Sequence, residues 1–375
     1  TEEVLIWEFW TPKSFMKKVE YTVDAYSAYT ELAAVEPDEG EEPPTLLKNA
    51  PWASCIEPLT IMYGTPTYGK VDPTSLMAPF FFVFLGMCFG DGGYGLVVAG
   101  ILGYFLVKHR LSPTLRKFFV MMTVGMGMSV VMGALTGSWF GDAVTAFPFL
   151  GSLVPLVQSV QVLDPMRDPM TLLMISLALG FIQVLFGLAI AFSENWKSGD
   201  KLAAVSDQGG WIIFLCGLVL YGCAVSGSLA PVWLLPGKIA AIGGALLLVL
   251  TQGREKKGLA SKLFSGVLSL YNVTGFLGDV LSYSRLLALG LGSAAVGMVI
   301  NLLAGLVAGV PYVGIVLAVL IFVVGHTFSI VVNLLGAFIH SLRLQYVEFF
   351  GKFYNATGRD FTPLRNIHGS RKILP

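Results

Sequence analysis

A single cation, Arg285, stands in the stretch Val280 to Val307, which is otherwise apolar and long enough to cross a bilayer. An arginine near the middle of a membrane helix costs roughly 2.5 to 3.5 kcal/mol on insertion scales, so such residues line an ion path or meet a counter-charge. Its guanidinium keeps its proton at ordinary pH, which leaves Arg285 an electrostatic task and not an acid–base one. Asp279, Ser282 and Arg285 follow at intervals of three residues and form a slanting polar stripe on a helix. Beyond the charge that face continues through Ala288, Leu289, Gly292 and Val296, mostly small and smooth, which lets another helix approach without interlocking. Gly290, Ala294 and Gly297 on a neighbouring face read as ordinary small-residue helix packing. A second polar set, Asn333, Gly336, His340 and Arg343, keeps to one face of a later apolar stretch, with Ser341, Gln345 and Glu348 on flanking turns. Asn333, His340 and Arg343 together read as a water-lined path. Glu348 reads equally as part of that path or as a charge snorkelling to the headgroups, and His326, isolated among apolar residues, as a hydrogen-bonded structural histidine.

Two aspartates lie in glycine-rich turns: Asp91 in Phe89-Gly90-Asp91-Gly92-Gly93-Tyr94-Gly95, and Asp142 in Phe140-Gly141-Asp142. They serve as turn and capping residues, as a shared acidic mouth, or as both. Cys55, Cys88, Cys216 and Cys223 have neither zinc-site spacing nor the density of a disulfide framework, and read as apolar filler. The chain has no glycine-rich phosphate loop, His-Glu-x-x-His or nucleophile elbow, so no catalytic centre, cofactor, metal or nucleic-acid partner is expected.

The elements that must hold these residues are membrane helices. Hydrophobic residues make up 55% of the chain, charged ones 13%, and mean hydropathy is +0.72, far from the roughly 25% charged content of soluble domains. The net charge of zero hides a segregation: acidic residues crowd the first 45 positions, and later cations fall in short gaps between apolar runs. Measured against the about 20 residues that cross a bilayer, clear spans lie at about 117–138, 169–192, 209–227 and 231–252, with longer stretches at 262–307 and 312–350. The first stretch, about 76–107, is broken at Asp91-Gly92-Gly93 and predicts a hairpin. That hairpin places Lys108, Arg110, Arg116 and Lys117 on one side with Lys197, Lys201, Arg254, Lys256, Lys257, Lys262, Lys352, Arg359, Arg365, Arg371 and Lys372, and leaves Arg167 opposite. By the positive-inside rule the chain is an all-α polytopic protein of eight membrane helices with both termini cytoplasmic. Residues 1–70 form a short polar N-terminal region with an acidic linker at Glu36 to Glu42, 71–365 the membrane domain and 366–375 a cytoplasmic tail. The N-terminus shows no basic, apolar leader. The last two stretches are too long to stand upright and pack as a tilted antiparallel pair about the turn at Gly309, which puts Arg285 level with Asn333.

The glycine-rich Asp91 segment, Gly278-Asp279-Val280-Leu281-Ser282-Tyr283-Ser284-Arg285-Leu286 and Phe338-Ile339-His340-Ser341-Leu342-Arg343-Leu344-Gln345-Tyr346-Val347-Glu348-Phe349 closely resemble the membrane half of the stator subunit of V-type and A-type rotary ATPases, subunit a of eukaryotes and subunit I of prokaryotes. The resemblance covers about residues 50–365. It implies eight helices, the last two beside a ring of proteolipid c subunits, and two offset ion half-channels for H+ or Na+. It also implies contacts with membrane lipids, a central-stalk cap subunit and peripheral-stalk subunits held by a cytoplasmic arm, of which Trp10-Thr11-Pro12-Lys13 looks like the tail. Arg285 matches the family's essential arginine, Arg343 its second arginine, His340 a polar channel position, and Asp91 and Asp142 aspartates near the outer half-channel. Asn333 stands where eukaryotic subunits have glutamate, Asp279 replaces a histidine, and Tyr271 and Ser293 replace a glutamate and a histidine, which favours a prokaryotic branch. Two other classes fit the bare residues: a secondary transporter with a midplane site, and a static membrane anchor whose charges pair internally.

Overall fold

The computed structural model describes residues 6–26, 28–38, 40–253 and 259–362. Arg254, Lys256, Lys257, Arg365, Arg371, Lys372 and the 366–375 tail lie outside the described residues. Helices alone build the described chain, with no β-strand among the described residues. After a short amphipathic helix α1 (Met16–Asp24) come α2 (Thr74–Phe89), α3 (Gly92–Lys108), α4 (Pro113–Thr136), α5 (Pro169–Lys197), α6 (Gly210–Val225), α7 (Leu234–Thr251), α8 (Leu259–Ser269), α9 (Val273–Ser282), α10 (Ser284–Ala308) and α11 (Gly314–Arg343). Among the described residues, six stretches are long and apolar enough to cross a membrane: Pro113–Thr136, Pro169–Lys197, Lys201–Val225, Pro231–Thr251, Phe264–Ala308 and Gly314–Lys352. This is a multi-pass membrane architecture. The expected count of eight is not reached by this measure, because α2 and α3 have only 16 and 17 residues, about 25 Å each at 1.5 Å per residue against a bilayer core of about 30 Å.

The turn between α2 and α3 is explained residue by residue. Gly90 takes the left-handed conformation (φ 62°) that ends α2, and Asp91 then caps α3 by accepting from the Tyr94 amide at 3.0 Å. Both helices pack on α4, in opposite directions. Along α2, Leu85 and Gly86 meet Gly125 and Met128, while along α3, Gly95 meets Met126 and Phe105 meets Phe119. The expected hairpin is therefore present. Gly133 makes it possible, since any side chain there would strike the backbone of Gly92.

The hairpin, α4, α5, α10 and α11 enclose one core rich in Phe81, Phe84, Phe89, Met121 and Tyr283. A smaller cluster of Leu188, Trp211, Leu215 and Leu248 joins α5 to the α6–α7 pair. Cys55, Ile56 and Leu59, from short helices ahead of α2, belong to the main core. That segment is fastened to the far end of the chain: Tyr346 and Tyr354 donate their hydroxyls to the carbonyls of Leu59 and Gly64, and Thr45 bridges to Asp360. Lys117 pairs with Glu57, Lys70 with Glu194, and Lys352 with Asp279 at this same end. By the order of the helices, the helix ends that carry Lys108, Arg110, Arg116, Lys197, Lys201, Lys262 and Arg359 lie at this end, and those that carry Arg167 and Lys238 at the opposite one.

Candidate functional site

α9 and α10 do not form one straight helix. Tyr283 interrupts them as a turn, two residues before Arg285, and its side chain is fully buried. Its hydroxyl donates to Oε1 of Gln183 on α5 at 2.7 Å, and Nε2 of Gln183 donates to Oε1 of Gln345 at 2.7 Å. Gln345 sits just beyond α11, where Leu344–Phe349 widens into a π-helical turn, a form frequent at functional sites. The wide turn carries Gln345 and Glu348 to the buried side, where Ser341 already lies at the end of α11.

Around Arg285 this arrangement gathers five side-chain atoms that are buried and hydrogen-bonded to nothing: Nη1 of Arg285, Nδ1 of His340, Oγ of Ser341, Nε2 of Gln345 and Oε2 of Glu348. Each orphaned polar atom costs about 1–3 kcal/mol, and native folds keep few of them. The charges of Arg285 and Arg343 both act on His340 and on Glu348, which also lies against Ser282, and the Cys88 thiol lies against Ser341 and Arg285. Arg343 itself is exposed. No ion pair to Arg285 occurs among the described residues. The arrangement offers a fixed cation, donors and acceptors to a partner brought from outside the chain.

Of the residues singled out from sequence, Arg285, Ser282, His340, Arg343 and Glu348 come together, and four do not. Asp279 is held in an ion pair by Lys352, whose ammonium lies 4.3 Å from the centre of the Phe276 ring. Asn333 is not level with Arg285. Its Nδ2 donates to Ser293 at 3.2 Å and to Ser329 at 2.9 Å, and the same register sets Ile300 against Gly325 and Asn301 against His326. Arg285 therefore faces the His340–Ser341 level, about two helical turns from Asn333. The turn occupies Gly309 to Val313, so counting symmetrically about Gly309 displaced the register.

Asp91 is fully buried and satisfied by four donors: the amides of Tyr94, Phe140 and Gly141 and the Ser138 hydroxyl, at 2.7–3.0 Å. Phe140 (φ 53°) and Gly141 (φ 70°) turn two successive amides toward one carboxylate, an anion-binding nest. Asp91 is thus a structural clamp, and the turn-and-cap reading holds for it. Asp142 is partly buried and accepts from Nδ2 of Asn301 at 2.8 Å. Sequence reasoning passed over Gln183, Asn301 and Tyr94 and gave Ser341 and Gln345 only a flanking place. The available signal was that Gln183 and Asn301 are amides inside otherwise apolar spans.

Residues 272–366 match the family model described as "V-type ATPase 116kDa subunit family". An A-type ATP synthase subunit I of Methanocaldococcus jannaschii is 36% identical over 97% of this chain and 55% of its own length. One from Pyrococcus horikoshii is 35% identical over 94% of the chain and 52% of its own. A V-type ATP synthase subunit I of Borreliella burgdorferi is 27% identical over 84% of the chain and 52% of its own. The chain spans about half the length of the curated relatives it matches. Their agreement across nearly the whole chain, archaeal and bacterial alike, together with the matched last helices that carry Arg285, places this chain in the V-type and A-type ATPase subunit a/I family.

Proposed function

We propose that this chain is the membrane part of a stator subunit in a prokaryotic rotary ATPase or ATP synthase, and that Arg285 couples ion passage to rotation of a proteolipid c ring. One observation carries the reading: Arg285 is buried at Nη1 without a partner among four further orphaned polar atoms, on a helix pair whose exposed side chains are mostly apolar. An ion enters one half-channel, neutralises a carboxylate on a passing c subunit and leaves by the other after nearly a full turn. Arg285 attracts each carboxylate once its ion has gone. At an effective dielectric of about 20, unit charges 4 Å apart attract by about 4 kcal/mol before desolvation, enough to favour ion release without trapping the ring. The same fixed charge repels ions that would leak between half-channels. Arg343, His340, Ser282 and Glu348 then line the half-channel nearer the lysine-rich end, and Asn333, Asp142 and the Asp91 clamp belong to the other.

On this reading the chain performs no ATP chemistry, which belongs to other subunits. It sits in the cell membrane with the lysine-rich end and both termini cytoplasmic, contacts lipids and a central-stalk cap subunit, and reaches the peripheral stalks through an N-terminal arm. A static anchor, in which charges pair internally, fits poorly with an Arg285 that has no pair. The test is ATP-driven ion pumping by the reconstituted complex with Arg285→Gln at matched assembly. Pumping falls by about a hundredfold or more with the ring retained if Arg285 stabilises the carboxylate by about 3 kcal/mol or more; parental pumping returns the residue to a structural role.

A further inference from the structure

A second polar system lies about two turns along the bundle from Arg285 and runs from the 138–142 loop to α11. Nδ2 of Asn301 donates to Oδ1 of Asp142 and to the Phe140 carbonyl, both at 2.8 Å. Both partners only accept, so the amide is fixed and presents its Oδ1 to Nε2 of His326, 3.0 Å away. Nε2 therefore carries the hydrogen and Nδ1 the lone pair, to which the Tyr94 hydroxyl donates across 2.7 Å. The Ser329 hydroxyl lies against the Tyr94 phenol, and Nδ2 of Asn333 donates to Oγ of Ser329 at 2.9 Å. With Ser329 donating to Tyr94, every bond points the same way, from Asn333 toward the Asp142 carboxylate, and such aligned chains polarise one another. The interior members Asn301, His326, Tyr94 and Ser329 are 0–3% exposed, while Asp142 and Asn333 at the two ends are only partly buried. A buried chain open at both ends joins a loop to the helix pair.

Building on the rotary reading above, we infer that this chain is the ion route on the 138–142 side, that His326 is its relay, and that the ion it passes is H+ and not Na+. A proton reaching Oγ of Ser329 sends the Ser329 hydrogen to Tyr94 and the Tyr94 hydrogen to Nδ1 of His326. Serine and tyrosine end neutral, and the added charge rests briefly on an imidazolium, which burial disfavours, a cost that the nearby Asp91 and Asp142 carboxylates partly offset. Both imidazolium N–H groups keep acceptors, the Tyr94 oxygen and Oδ1 of Asn301. The amide of Asn301 does not itself carry the proton. It turns aside to let the Nε2 hydrogen pass to the Asp142 carboxylate, and the ring and hydroxyls reorient to restore the starting tautomer. Movement inward reverses each transfer. A sodium ion has no such option: it would have to shed its water, at several kcal/mol after relaxation, and part each of these bonds in turn.

The complete complex in liposomes, driven by ATP, tests this by following proton uptake and sodium uptake for the parent, His326→Gln, Tyr94→Phe and Arg285→Gln. Glutamine at 326 can still donate to Asn301 but cannot relay; phenylalanine at 94 keeps the ring between Phe89 and Phe140 and loses only the hydroxyl. The expected result is proton uptake without sodium in the parent, slowed in heavy water, and at least about tenfold slower uptake in both variants with the ring retained, although each variant melts lower because it strands a buried partner. Protonophore-insensitive sodium uptake by the parent overturns the inference, even if both variants fail to assemble. So do parental proton rates in the two variants. If those rates stay parental while Arg285→Gln is dead, only the relay falls; if Arg285→Gln also pumps normally, the rotary reading falls with it.

Discussion

The two polar regions of this bundle both use carboxyl, amide, hydroxyl and imidazole groups, only one adds arginines, and they differ in how those groups are satisfied. In the system from Asp91 and Asp142 to Asn333, the carboxylates, the amides and the imidazole have hydrogen-bond partners within the chain. Around Arg285, five buried atoms have none. A satisfied network makes a fold rigid and specific, because loss of any member strands the others. An orphaned cluster weakens the fold and is retained where something else completes it. Titratable residues mark both regions equally, and only the hydrogen-bond accounting separates a self-sufficient system from one that waits for a partner.

That contrast is open to attack through stability. The largest effect is expected at Asp91. Asp91→Ala strands three amides and a hydroxyl in the core and lowers stability by about 3 kcal/mol or more. A purified variant melting at the parental temperature in detergent would erase the distinction. Gln183 comes next, since Gln183→Leu takes the acceptor from Tyr283 and the donor from Gln345. A loss of about 1–3 kcal/mol follows, together with slower pumping, because Gln345 is then free to turn its amide over. Parental pumping with lowered stability would reduce this ladder to a structural brace. The smallest effect belongs to Ser341, where Ser341→Ala removes a hydroxyl with no partner beyond the weakly bonding Cys88 thiol and melting shifts by no more than about 0.5 kcal/mol. A loss of 2 kcal/mol or more would mean that its hydroxyl is satisfied after all.

Much of the fold was legible in the sequence because it depends on local signals. Gly90 and Asp91 announce a cap and a turn, and the two halves of the hairpin do run in opposite directions on α4. Helical spacing alone put Asp279, Ser282 and Arg285 on one stripe and Asn333, His340 and Arg343 on one face. Register was not legible. Which residue of α11 faces Arg285 depends on how many residues the turn after Ala308 consumes and on how the helices cross, and neither is written in periodicity. The π turn at Leu344–Phe349 and the break at Tyr283 were hidden for the same reason. His326 shows the limit of judging a residue by its own stretch: its neighbours on α11 are apolar, and its partners Tyr94 and Asn301 come from two other helices.

The bridge between Thr45 and Asp360 has a consequence in parity. Two points of a chain that touch on the same side of a membrane must be joined by an even number of crossings, however the helices between them tilt. The six long apolar stretches already supply an even number, so α2 and α3 either both traverse the bilayer or both stop within it. Seven is forbidden. A reporter placed on the Gly90–Asp91 turn has only two places to be found, and its location decides between six crossings and eight.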